Sequence, residues 1–158
     1  MNHEFDILNA RILIVDDQSV NVTLLEQLLA ETGYTQVSST MDPQTVCALH
    51  EKNSYDLILL DLKMPVMDGF QVMDGLKKDP ADSYLPVIVL TAEPGHKLRA
   101  LQAGAKDFIS KPFDLIEVKT RIYNMLEVRL LYKKLANYSK LLEHATSQLT
   151  DEMRAVKP

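Results

Sequence analysis

Three stretches of the chain are apolar at every position: Ile12-Leu13-Ile14-Val15, Leu57-Ile58-Leu59-Leu60 and Val87-Ile88-Val89-Leu90. A strand with one face in water alternates apolar and polar residues. Unbroken apolar runs therefore predict strands covered on both faces, as in a parallel sheet. Two weaker strands are expected at Gln36–Thr40, polar enough for a sheet edge, and at Phe108-Ile109, just ahead of the Lys111-Pro112 breaker. Between these runs the apolar period lengthens to that of a helix. Leu25, Leu28 and Leu29 follow Ser19, a candidate N-cap, and Gly33 suits the stop. Further helices are expected over residues 43–52, 66–78 and 94–104, the second with Phe70, Met73 and Leu76 on one face.

The order is strand then helix, five times over. Such alternation predicts a doubly wound α/β fold, a five-stranded parallel sheet with helices on both faces. Ligands in these sheets bind beyond the carboxyl ends of the strands. The residues at those ends are Asp16-Asp17, Asp61, Thr91-Ala92 and Lys111-Pro112.

Each of these has an ordinary explanation on its own. An acid pair complements a helix dipole, Asp61 suits a turn, Thr91 suits an N-cap and Lys111 suits a solvated surface. Their arrival together on one sheet edge points to chemistry instead. Three clustered carboxylates repel one another and raise each other's pKa, so a hard divalent cation with oxygen ligands is their natural partner. Mg²⁺ fits best, because it keeps waters and accepts a phosphate oxygen beside one or two carboxylates. Lys111 can pair with Asp61 at rest and with a phosphoryl oxygen after transfer, and Thr91 can donate its hydroxyl to the same group.

Composition narrows the class. The chain has 158 residues, 46% hydrophobic and 25% charged, which suits one folded core plus an extra element. No apolar run approaches the length of a membrane span, and the Met-Asn-His-Glu start lacks a secretory pattern, so a cytoplasmic protein without membrane contact is expected. The lone Cys47 is expected to be a small buried hydrophobe. Net charge is -5, unevenly spread: residues 1–112 hold 9 basic and 16 acidic side chains, and residues 113–158 hold 8 and 6. An acidic body argues against direct nucleic-acid binding, and the weakly basic tail does not reverse that.

The motifs Ile-Leu-Ile-Val-Asp16-Asp17, Leu-Leu-Asp61-Leu-Lys-Met64-Pro65-Val-Met-Asp68-Gly69, Leu-Thr91-Ala92 and Phe108-Ile-Ser-Lys111-Pro112-Phe113 together resemble the receiver domain of response regulators, over roughly residues 10–125. The resemblance implies a flavodoxin-like sheet of strand order 2-1-3-4-5. It implies that Asp61 is the phosphoacceptor, that Asp17, Asp61 and the backbone carbonyl of Lys63 bind Mg²⁺ directly, and that Asp16 acts through water. Thr91 and Lys111 would grip the phosphoryl group, and Phe108 would be the aromatic switch of the surface formed by the fourth helix, fifth strand and fifth helix. Lys63 and Glu93 are candidates for tuning phosphoryl lifetime through an ion pair. The donor would be a sensor histidine kinase or a phosphotransfer protein.

After Phe113 no Gly or Pro occurs until Pro158, so one helix of about 40 residues is expected. From Val128 a heptad emerges, with Val128, Leu135, Leu142, Leu149 and Val156 at one seam position and Leu131, Tyr138, Ala145 and Glu152 at the other. The expected organisation is a receiver over residues 1–125 and an extended helix over 126–158, pairing with a second copy as a parallel dimer or folding back as a cap. The segment around Arg129-Leu-Leu-Tyr132 is similar to linkers that precede cyclic-di-GMP enzymes or kinase domains. No output module or separate enzyme is evident in the sequence, which leaves a receiver acting alone or a fragment of a longer protein. Three rivals remain. An aspartyl phosphatase or phosphotransferase needs a second Asp where Lys63 stands. A flavin module needs a Ser, Thr and Gly loop where Asp16-Asp17-Gln18 stands. A phosphorylation-independent dimerisation scaffold needs the acidic site to be vestigial.

Overall fold

The computed structural model describes residues 3–77 and 84–156. Its elements are α1 (His3–Leu8), β1 (Arg11–Val15), α2 (Ser19–Thr32), β2 (Gln36–Thr40), a 3₁₀ turn (Pro43–Thr45), α3 (Val46–Asn53), β3 (Leu57–Asp61), α4 (Gly69–Leu76), β4 (Val87–Thr91), α5 (His96–Gln102), β5 (Asp107–Ser110) and α6 (Leu115–Ala155). The strands form one parallel sheet in the order β2-β1-β3-β4-β5, as expected. Its registers bring the carboxyl ends of β3, β4 and β5 level, pairing Asp61 with Leu90 and Thr91 with Ser110.

Successive side chains on a strand point to opposite faces, so each apolar run feeds two cores. Ile12, Ile14, Leu57, Leu59, Ile88 and Leu90 face the layer made by α1, α2 and α6, where Leu25, Leu29, Val118, Ile122 and Leu126 are buried. Leu13, Val15, Ile58, Leu60 and Val89 face the layer of α3, α4 and α5, against Val46, Val72, Met73 and Ala100. The runs do not alternate because neither face meets water.

Several element boundaries differ from the sequence expectation. α1 was not expected; it is a short helix fixed by the fully buried Ile7 and packed against α6. Ser19 is the first residue of α2 rather than its cap: Gln18 holds that place without a side-chain cap. Gly33 does end α2, in the left-handed region at φ 112°, with its N–H donating to Leu29 and Ala30. The helix expected from Val66 begins at Gly69. Val66 has a φ of 72°, a left-handed conformation no helix contains, and Asp68 closes a capping box with Gln71, accepting from its N–H at 2.9 Å. The expected end of that helix at Lys78 lies outside the described residues. Residues 43–45 form the 3₁₀ turn ahead of α3, capped by Asp42. α5 is shorter than residues 94–104, with Gly104 left-handed beyond its end. Cys47 is half-buried, not fully buried.

α6 is continuous over 41 residues. Val118, Ile122, Leu126 and Arg129 are buried, and every residue from Leu131 to Val156 is exposed, so the heptad seam does not fold back on the domain. Ile122 is fully buried in the α6 layer. Ile122→Ala is expected to cost roughly 2–5 kcal/mol, seen as a lower urea midpoint at unchanged slope.

Candidate functional site

The site is built from turns that follow β1, β3, β4 and β5. Asp16 is fully buried, and its carboxylate accepts from the Gln18 N–H at 2.9 Å and from Lys111 Nζ at 3.2 Å. Asp61 ends β3 and is nearly buried; its Oδ1 accepts from Lys111 Nζ at 3.1 Å and from the Lys63 N–H at 3.4 Å. Lys111 thus bridges the ends of β1 and β3. Its own backbone is tied to the end of β4, the N–H donating to the Thr91 carbonyl at 2.9 Å.

Asp16, Asp17 and Asp61 offer oxygens within 4.8 Å of one another. Asp17 Oδ1 is shut off from solvent and has no hydrogen-bond partner among the described residues. The result is a pocket of three carboxylates facing one ammonium. Burial pushes the Asp61 carboxyl up to about 6, the Asp16 charge adds to the rise, and Lys111 opposes it.

The backbone allows this crowding through Gly69. A Cβ there would sit 2.7 Å from the Asp61 carbonyl oxygen and 2.9 Å from Leu62 Cα, so only glycine lets the start of α4 rest on the end of β3. The Gly69 N–H donates to the Leu62 carbonyl at 3.1 Å. This contact holds the loop between Asp61 and α4, where Val66 carries its left-handed strain, against the strand end.

The remaining expected residues lie around this pocket. Thr91 is buried, and its Oγ1 accepts from the Glu93 N–H at 3.0 Å, so the hydroxyl is held in its own turn rather than on Asp61. Lys63 and Glu93 form the expected ion pair at the rim, which holds the Glu93 carboxyl below the usual range. His96, not singled out from the sequence, adds a contact of 3.1 Å to Glu93. Phe108 is half-buried between two cations, Lys97 Nζ at 4.5 Å from the ring centre and Arg121 at 5.6 Å. The Asp68-x-x-Gln71 spacing of the capping box and the closeness of Gly69 were not read from the sequence. The first was legible as a cap pattern, whereas the second depends on the packing of two elements.

Comparison with known proteins agrees with this geometry. The response regulator receiver domain matches residues 12–123. The chain is 41% identical over 130 residues to response regulator PleD of Caulobacter vibrioides, covering 81% of this chain and 28% of that protein. It is 31% identical over 121 residues to chemotaxis protein CheY-3 of Vibrio cholerae, covering 75% of this chain and 93% of that protein. Among solved structures, the receiver domain of sensor histidine kinase PA1611 from Pseudomonas aeruginosa PAO1 superposes with a TM-score of 0.69 at 31% identity, covering 75% of this chain and 98% of that one. That structure has a magnesium ion coordinated in its active site cleft. Motifs, strand order and acidic pocket agree, and the chain belongs to the response regulator receiver domain family.

Proposed function

We propose that the chain is a phosphoacceptor switch in which Asp61 takes a phosphoryl group from the phosphohistidine of a sensor histidine kinase or phosphotransfer protein. The observation that carries this reading is the Lys111 ammonium shared between Asp16 and Asp61 beside the unpartnered oxygen of Asp17. One ammonium leaves the pocket short of positive charge, and a buried carboxylate oxygen without a donor needs a ligand. Mg²⁺ fits both needs. Asp17, Asp61 and the Lys63 carbonyl would hold it, with Asp16 acting through water. What bound Mg²⁺ supplies is neutralisation of charge on the phosphoryl oxygens.

A carboxylate oxygen of Asp61 forms the new P–O bond as the P–N bond of the donor breaks in line, and the electron pair leaves on the imidazole nitrogen, which takes up a proton. Lys111, already against Asp61, moves its contact to a phosphoryl oxygen. Thr91 gives up its turn with Glu93 to donate to the same group, and Phe108 follows into the space released. The altered surface lies on α5, β5 and α6, which are the fourth helix, fifth strand and fifth helix once the additional α1 is set aside. In this reading the receiver occupies residues 1–125 and acts in the cytoplasm, assists its own phosphorylation and dephosphorylation, and is not otherwise an enzyme. Among the described residues no helix is long and apolar enough to cross a membrane.

The exposed seam from Val128 to Val156 belongs in this reading to a second copy. Four heptad steps of apolar residues repeat at one position, and Leu135, Leu142 and Leu149 are each more than half exposed. A parallel two-stranded coil covers such a stripe along its whole length. The chain spans 28% of the length of PleD.

Burial of Asp61, with the Asp16 charge beside it, makes the metal-free pocket a source of instability at neutral pH. A carboxyl whose folded pKa lies above its unfolded value holds its proton more tightly when folded, so the stability it contributes falls as pH rises from 3.8 to about 6. Asp61→Asn is expected to stabilise the metal-free protein at pH 7 by roughly 1–2 kcal/mol, a gain that shrinks on acidification through pH 6. Saturating Mg²⁺ should raise the melting temperature of the parent more than that of the variant, as read by calorimetry.

The direct test is intact mass after incubation with Mg²⁺ and acetyl phosphate, with light scattering on the same samples. One added phosphoryl on the parent and none on Asp61→Asn is the expected result, in a dimer that removal of residues 134–158 turns into a monomer. A parent that gains no phosphoryl and binds no Mg²⁺ would replace this reading with the scaffold. The rim ion pair gives a separate expectation. Lys63→Ala and Glu93→Ala should lose phosphate roughly two- to fivefold faster than the parent, the small effect expected of a solvent-exposed pair. Parental rates in both would remove the pair from any role in phosphoryl lifetime.

A further inference from the structure

At the end of the sheet opposite Asp61, α6 leaves the domain through a polar clasp. Asp56, just ahead of β3, and Arg129 are both buried. Asp56 Oδ1 accepts from Arg129 Nε at 3.4 Å and from Lys133 Nζ at 3.0 Å, and Oδ2 accepts from the Arg11 N–H at 3.0 Å. Arg129 also donates to the Tyr84 carbonyl. The Tyr84 ring stacks on Tyr132 at 4.6 Å and lies under Lys106 Nζ at 5.0 Å. One carboxylate and one tyrosine thus join α6 to the approaches of β1, β3, β4 and β5.

Three features set this clasp apart from ordinary packing. A buried ion pair adds little stability over apolar residues of the same shape, and its best-attested use is to fix one arrangement among several. The clasp also sits at the last point where α6 is buried, Arg129, before the wholly exposed stretch from Leu131 to Val156. At 100° per residue, Arg129 lies roughly a third of a turn and Lys133 nearly half a turn from the seam of Val128, Leu131 and Leu135, so the grip on one side turns the seam outward. Finally, β4 runs from the Tyr84 end to Thr91 and β5 from the Lys106 end to Phe108. Both strands that carry the proposed switch residues therefore begin at the clasp.

We propose that the Asp56–Arg129 clasp sets the rotation of α6 about its own axis where it leaves the receiver, and that phosphorylation of Asp61 reaches the paired tails through it. The inference rests on the reading of Asp61 as phosphoacceptor and of α6 as the pairing helix. Asp56 and Arg129 are positioning residues, outside the chemistry at Asp61.

The experiment places a spin label on Ser147→Cys in a Cys47→Ala background of the full chain and measures the distance between labels on two copies by pulsed EPR, with Mg²⁺ and with or without acetyl phosphate. Intact mass and light scattering on the same samples report phosphoryl uptake and pairing separately. In the parent the distance distribution should move by a few ångströms on phosphorylation. The double variant Asp56→Asn/Arg129→Met removes both buried charges together while leaving an acceptor for the Arg11 N–H. It should still take the phosphoryl and still pair, but show a broader distribution that phosphorylation does not move. Lys133→Met, at the half-exposed rim, should keep the fold and reduce the movement. A double variant that moves as the parent does, or a Lys133→Met variant with the full parental movement, overturns the inference. So does a phosphorylated, paired parent whose labels stay in place, and that result leaves the receiver reading intact. A parent that takes no phosphoryl or does not pair overturns both.

Discussion

The repulsion among Asp16, Asp17 and Asp61 is the constraint on which the rest of the site depends. Carboxyl groups with oxygens within 4.8 Å of one another are not gathered by their own affinity. They are forced together by a sheet whose strands end level and by turns that leave the chain no other path. Gly69 admits the close approach of α4, the Asp68–Gln71 box fixes where that helix begins, and Lys111 offsets part of the charge from the end of β5. The stability of the apolar layers holds this unfavourable edge in place, so the three carboxylates stay gathered at the strand ends despite their repulsion.

The two sheet faces divide the labour. One is covered by α3, α4 and α5; the loops leading into α4 and α5 carry the rim residues Lys63 and Glu93, and α5 begins with His96. The other is covered by α1, α2 and α6, so the helix that runs on as the exposed seam is also a wall of the core. Val118, Ile122 and Leu126 anchor it over a little more than two turns. The seam is therefore an extension of a fixed element and not a separate piece joined by a loop.

Much of this was legible in the sequence for reasons that are local. The three central strands announce themselves because a strand buried on both faces has no polar positions, and the site residues follow because the chain must turn where those strands end. The long helix was legible from the lack of Gly and Pro. What escaped depends on distant partners. Arg129 reads as an ordinary charged position beside a heptad, and its burial is set by Asp56, 73 residues earlier. α1 is too short to show a period and is fixed by a single buried Ile7. Val66 belongs to a regular apolar pattern, yet a capping box two residues later overrides it. Phe108 was read as a switch, but its setting between Lys97 and Arg121 required α5 and α6 to be in place.

The unbroken run of α6 has a mechanical consequence. From Leu131 to Ala155 the helix extends for roughly 37 Å beyond the domain at 1.5 Å per residue, with no glycine or proline to absorb bending. A tilt of about 5° at its root displaces the far end by roughly 3 Å, close to half a helical turn. The protruding helix thus acts as a lever arm. Movements at its root that are too small to rearrange a core become, at its tip, the size of one side chain.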